Sequence, residues 1–137
     1  MNRLAFGLIG ALICGHAMAA GDFRCLRSAG PGNPIRLQFD IESDHAGSVT
    51  YQKGSGPIPI KLLKEQERTR GPNGRPSEFA ATWQEMTPDG PGGTYVVVSQ
   101  GALISQFRYV RKSDGRSISF QDDPDSVTDE GCTWNIR

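Results

Sequence analysis

Along most of the chain apolar and polar residues alternate with a period of two, the pattern of strands with one dry and one wet face. The clearest run sets Ile35, Leu37, Phe39 and Ile41 against Arg36, Gln38, Asp40 and Glu42. Residues 22–27 read the same way, with Phe23 and Cys25 on the apolar side. Val49 and Tyr51 mark a third strand, and the polar turn at residues 43–47 makes a hairpin of the second and third. Ile58, Ile60 and Leu62 continue the alternation, while Pro57 and Pro59 place that strand at an edge or an opening. Residues 63–68 fit either a strand or one helical turn. Phe79, Ala81 and Trp83 predict the next strand. Residues 94–99 are β-branched and aromatic, which predicts a strand covered on both faces. Leu103, Phe107 and Tyr109 precede the hairpin signal at residues 113–115, and Ile118 and Phe120 follow it. Cys132, Trp134 and Ile136 close the chain on alternate positions.

Glycine- and proline-rich stretches at residues 28–34, 53–57, 68–76 and 87–93 leave no room for a helix of ordinary length. Eight to nine short strands follow, an all-β fold. Its architecture is a small antiparallel barrel or sandwich. Closure removes the exposed edges that would aggregate, so the barrel is favoured.

The first residues change the picture of where the protein works. Arg3 precedes an uncharged apolar stretch, residues 4–13, and Ala17 and Ala19 supply the small-residue pattern that signal peptidase reads. Residues 1–20 are therefore expected to be a signal peptide and residues 21–137 a single antiparallel β domain, periplasmic or secreted. The apolar stretch is shorter than the roughly 20 residues a spanning helix needs. Ile13 before Cys14 is not the small residue that a lipidation site requires. Discounting Arg3 leaves fourteen basic against fifteen acidic residues. So even a balance argues against nucleic acid or an anionic membrane as partner.

Two cysteines remain in the exported portion, Cys25 and Cys132, and in an oxidising compartment they are expected to form a disulfide. Both fall in alternating runs, so the bridge is expected to join neighbouring first and last strands and close the sheet. With the thiols oxidised no cysteine nucleophile remains. A serine triad would have to use His45, in a predicted turn beside Asp44. No motif for hydrolysis or phosphate binding occurs, and the expectation is a non-enzyme without cofactor. Asp122, Asp123, Asp125, Asp129 and Glu130 suggest calcium, but Val127 stands at a ligand position and the turn glycine is missing. A solvated acidic loop, with no metal, is the expectation. Binding chemistry is better placed in the two stretches longer than a hairpin needs, residues 68–77 and 87–93. Arg68, Arg70 and Arg75 can pair bidentately with carboxylates of a partner. The alternative is that they only keep the surface soluble.

Phe23-Arg24-Cys25 and Gly131-Cys132 at the two ends, Ser48-Val49-Thr50-Tyr51, and residues 93–101 together resemble the periplasmic and membrane-bound inhibitors of c-type lysozyme. The resemblance spans most of the exported portion. It implies a small barrel that inserts a serine, from a Ser-Gly-x-x-Tyr segment, and a lysine, from a Ser-Lys-Gly turn, into the lysozyme cleft. Here the first segment falls near Met86 and Thr87 without Ser-Gly. The second reads Ser99-Gln100-Gly101, with an uncharged amide at the lysine position. The function expected is an exported binding protein, an inhibitor or immunity-type protein acting on a cell-wall hydrolase through its loops. The alternative is a structural or envelope-interaction domain without inhibitory activity.

Overall fold

Eight strands close into an antiparallel barrel in the computed structural model, which describes residues 22–135. They are β1 (Asp22–Ser28), β2 (Arg36–Ile41), β3 (Ala46–Tyr51), β4 (Ile58–Thr69), β5 (Glu78–Thr87), β6 (Gly90–Gln100), β7 (Leu103–Val110) and β8 (Ser117–Asp122). Each pairs with the next, and β8 returns to β1. The expected signal peptide and the alternation at Ile136 lie outside the described residues. Residues 63–68 are strand rather than helical turn, carrying β4 to twelve residues. No α-helix occurs among the described residues, and none is long and apolar enough to cross a membrane.

The up-and-down order sorts the connections between two mouths. The β2–β3, β4–β5 and β6–β7 turns share one mouth, called here the loop mouth. The β1–β2, β3–β4, β5–β6 and β7–β8 turns share the other. Leu26, Leu37, Val49 and Tyr95 are fully buried in the interior. An aromatic row crosses it: Trp83 meets Phe39 edge-on with centroids 5.7 Å apart, Phe39 meets Phe107 at 5.3 Å, and Phe107 meets Phe120 at 5.8 Å. Each such contact contributes about 0.5–1.5 kcal/mol beyond area burial. Gly93 is required by this packing, because a side chain there would occupy the Tyr109 ring.

Three expectations are corrected. In β1 the parity is reversed: Arg24 lies opposite the core residue Phe39 and Asp22 opposite Ile41, so Asp22, Arg24 and Leu26 share the inner face. Phe23 and Cys25 face outward, where Cys25 is nevertheless buried. The reason is the second correction. Cys25 and Cys132 are bonded, but Cys132 belongs to no barrel strand. It lies in β10 (Gly131–Cys132), which pairs only with β9 (Val127–Thr128). Trp134 sits in a short 3-10 turn. The sheet is closed by β1 against β8, and the disulfide clamps a strap across the outside of β1 and β2. Third, the turn-rich residues 87–93 do not form a long loop. β5 runs to Thr87 and β6 starts at Gly90, a tight hairpin with the Thr87 hydroxyl donating to the Gly90 carbonyl at 2.6 Å.

Beneath the strap lies Gln38, which the alternation places on the wet face and which is buried instead. Its Oε1 accepts from the Cys132 N–H at 2.9 Å and from Asn135 Nδ2 at 3.1 Å, while its Nε2 donates to Asp40 at 3.0 Å. Burial raises the Asp40 pKa, opposed by that hydrogen bond and reinforced by Glu42. The acidic stretch is not simply a solvated loop either. Asp123 and Ser126 are buried, with the Ser126 hydroxyl donating to Asp123 at 2.7 Å and Arg36 pairing with it at 3.4 Å. Among the described residues no group of three His, Cys, Asp or Glu is arranged to hold a metal ion.

The bridge closes a loop of 107 residues. Replacing both partners, Cys25→Ser with Cys132→Ser, is expected to lower the unfolding free energy by about 3–5 kcal/mol, chiefly by freeing the unfolded chain. Guanidinium midpoints read this directly. Equal midpoints would contradict a stabilising contribution from closing this loop.

Candidate functional site

The three arginines and the Ser99-Gln100 pair that stands in the Ser-Lys-Gly position, all expected to bind a partner, lie at the loop mouth. Arg68 stands near the end of β4, Arg70 and Arg75 in the loop 70–77, and Ser99 and Gln100 at the end of β6. The loop turns through Asn73 and Gly74, both at positive φ (52° and 79°), a backbone form that asparagine and glycine tolerate best. It leans on the β6–β7 turn: Gln100 Nε2 donates to the Pro76 carbonyl at 3.0 Å. Gly101, at φ +59°, has Pro76 so close that an added Cβ would lie 3.1 Å from it.

The charges do not form a basic patch. Arg68 pairs with Glu78 at 3.7 Å and Arg70 with Glu67 at 3.4 Å. The Ser77 hydroxyl donates to the same Glu67 carboxylate at 3.2 Å and accepts from the Gly71 N–H at 3.3 Å. Two arginines are therefore largely spent on folding their own hairpin. These are exposed pairs, worth about 0–1 kcal/mol each. Arg75 is exposed and has no ion-pair partner among the described residues. Gln100 likewise spends its amide inside the protein. Ser99 is half-buried and faces the pocket described next.

Inside the loop mouth is a pocket of about 210 Å³, floored by Phe39, Trp83, Val97 and Ile104 and rimmed by Asp22, Arg24, Glu65 and Ser99. Arg24 reaches across it, Nη2 donating to the Ala102 carbonyl at 2.8 Å, which ties β1 to the β6–β7 turn. A wider gap of about 600 Å³ adjoins it where the β2–β3 turn meets β4, sharing Ile41, Glu65 and Trp83. Asp22, Arg24 and Glu65 escaped sequence reasoning. The signal for the first two was present as charges in phase with Leu26, but the apolar Phe23 and Cys25 dominated the pattern. Glu65 is out of phase with Leu62 because a bulge between Leu62 and Lys64 switches the inner row.

His45 lies exposed in the β2–β3 turn. Its backbone N–H donates to the Ser43 hydroxyl at 3.4 Å, and its ring makes no hydrogen bond among the described residues. The other polar cluster is closed off inside the barrel. The Tyr95 hydroxyl donates to Glu85 at 2.8 Å and therefore accepts from Tyr51, 2.6 Å away. Burial, and secondarily the neighbouring charges, raise the pKa of Tyr51 to about 12 and push that of Tyr95 upward as well. Tyr109 is raised mainly by burial, with Glu85 adding to it. With Tyr95 fully buried, this cluster is a core network rather than a site. Comparison with protein-family models, with curated proteins and with solved structures found no match.

Tyr95→Phe leaves the buried Glu85 without its donor and is expected to cost about 1–3 kcal/mol of stability. The tyrosine pKa values are higher folded than unfolded. Their contribution is intact below pH of about 10 and is lost as pH rises through about 12 for Tyr51. Each tyrosine held neutral costs about 1.4 kcal/mol per pH unit in that window. Urea midpoints measured from pH 9 to 11.5 should fall, and more shallowly in Tyr51→Phe; a flat profile would contradict the network.

Proposed function

We propose that the protein is an exported binding module that engages a protein partner through the loop mouth, as an inhibitor or immunity-type protein of a cell-wall hydrolase such as a lysozyme. The observation that carries this reading is the fixed pair formed by the loop 70–77 and the β6–β7 turn. A connection longer than a hairpin needs is held on a strapped barrel, with Arg75 exposed and without an ion-pair partner among the described residues. Ordering such a loop before binding lowers the entropy cost of association. A disulfide is compatible with an exporting route, and the reading takes residues 1–20 as the signal peptide. The reading is a non-enzymatic one and invokes no cofactor, metal or nucleic acid. A free arginine suits a cleft that carries catalytic carboxylates.

A second reading, an envelope-interaction barrel without inhibitory activity, draws on a specific feature. Gln100 carries no charge and its amide is already bound to Pro76.

Cell-wall lysis by a panel of lysozymes, followed with and without a several-fold molar excess of the purified protein, separates the two. Protection is expected, with Arg75→Ala weakening it about tenfold, the scale of one lost charged contact at an interface. Gln100→Ala, which releases the loop, should weaken it less. Absence of protection across the panel sinks the inhibitor reading and leaves the second. Protection with unchanged potency in both variants would remove the loop 70–77 as the binding surface.

A further inference from the structure

β4 is twelve residues long and β3 only six. β3 pairs with β4 from Val49↔Ile58 to Ala46↔Lys61, and the last bond on that side runs from the Leu62 N–H to the His45 carbonyl, 2.9 Å. Beyond it β4 continues to Thr69, held on its other side by β5. Residues 63–69 are all exposed, and among the described residues no strand pairs with their outer edge.

Ladder geometry shows which groups this edge offers. Leu62 bonds toward β3, so Lys61 faces β5, opposite Gln84. β5 keeps its alternation from Gln84 to Ala80, so Thr82 and Ala80 also face β4, opposite Lys64 and Gln66. Glu65 and Glu67 are then left with backbone N–H and C=O aimed outward. A row of unpaired strand groups is a template for another chain. Beside it opens the gap where β3 stops, floored by Ile41, Leu62 and Trp83, with room for an added side chain.

We propose that the outer edge of β4 from Lys64 to Glu67 accepts an extended segment of a partner protein as an added strand, carrying a basic residue in its mouth-facing row. This rests on the partner-binding reading above and specifies the mode of contact. Charge excludes a second copy of the chain. Two-fold antiparallel pairing across this edge keeps side chains on matched faces, so its possible centres are few. Centred on Lys64 or on Glu65 it sets each against itself; centred on Gln66 it sets Glu65 against Glu67 and Lys64 against Arg68. Each of these registers, like one centred on Glu67, opposes like charges, which destabilises cross-strand pairs; a centre at Leu63 would need the edge of Lys61, which β3 already covers. A foreign strand escapes this restriction. Glu67 already holds Arg70 and Ser77, whereas Glu65 has no ion pair among the described residues and lines both cavities. It is the carboxylate that selects a basic residue.

The probe is a capped octapeptide alternating Arg with Thr, compared with one alternating Glu with Thr. Amide hydrogen exchange of the whole exported protein reads the result. The Arg peptide is expected to protect the Glu65 and Glu67 amides, and the Glu peptide to do so at least about tenfold less strongly. Glu65→Pro removes an N–H from the free edge only, a substitution edge strands tolerate, and should weaken the Arg peptide about tenfold. If circular dichroism shows that variant to be misfolded, Glu65→Lys decides instead, and must invert the preference between the peptides. Equal binding of both peptides, protection elsewhere, no binding up to about 1 mM, or self-association through β4 would each overturn the proposal. Failure here with lysozyme protection retained removes the edge alone; peptide binding without protection removes the inhibitor reading alone.

Discussion

The structure depends on a thin seam. β1 meets β8 only through Leu26↔Asp122, Arg27↔Gln121 and Ser28↔Phe120, whereas β5 and β6 are paired along nearly their whole length. A barrel is closed only if its weakest ladder holds, and an open seam would expose two edges and the apolar interior. The strap reinforces that place. The Asp123 N–H donates to the Cys25 carbonyl at 2.8 Å directly after β8, and the chain then folds back to bond Cys132 to Cys25 itself. Cys25 thus holds both the end of the last barrel strand and the C-terminal strap. Gln38 and Asp123 supply buried polar contacts on either side, each with its hydrogen bonds satisfied.

With the seam sealed, the loop mouth is free to be irregular. The bulges between Leu62 and Lys64 and between Glu67 and Thr69 twist β4 beyond the end of β3, and β5 follows it outward. This overhang carries Arg68, Arg70 and Arg75 and leaves one strand edge open. Its stability comes from β5, the tether of Gln100 to Pro76 and a few exposed ion pairs, not from the core. The interior tyrosine–glutamate network lies toward the opposite mouth and is satisfied within the barrel, so the two polar regions have separate roles.

How much of this was legible follows from the range of each physical cue. Leu37, Phe39, Ile41, Val49, Trp83, Phe107 and Phe120 fall on the expected faces because period-two alternation is local and each has an apolar core opposite it; Ile35, at the start of the same run, lies before β2 and is exposed. The parity of β1 was read backwards because Phe23 and Cys25 are dry for another reason, burial of the outer face by a segment about one hundred residues later in the chain. Gln38 was misplaced by the same cause. The hairpin at Thr87–Gly90 looked like a loop because glycine and proline mark turns without stating their length. The arginines were found, but not the glutamates that occupy two of them.

An all-β chain, its turn positions, the partnership of Cys25 with Cys132 and the location of the arginine-bearing loop are all encoded locally. These follow from backbone propensity, side-chain period and cysteine count, which act over a few residues or need no geometry. Closure of the barrel through β1 and β8, the strap that the disulfide holds outside it, and the overhang of β4 past β3 arise from long-range packing. Those outcomes depend on which distant segments cover which faces and on bulges that shift the register. Both are set by packing between strands rather than by the pattern within one.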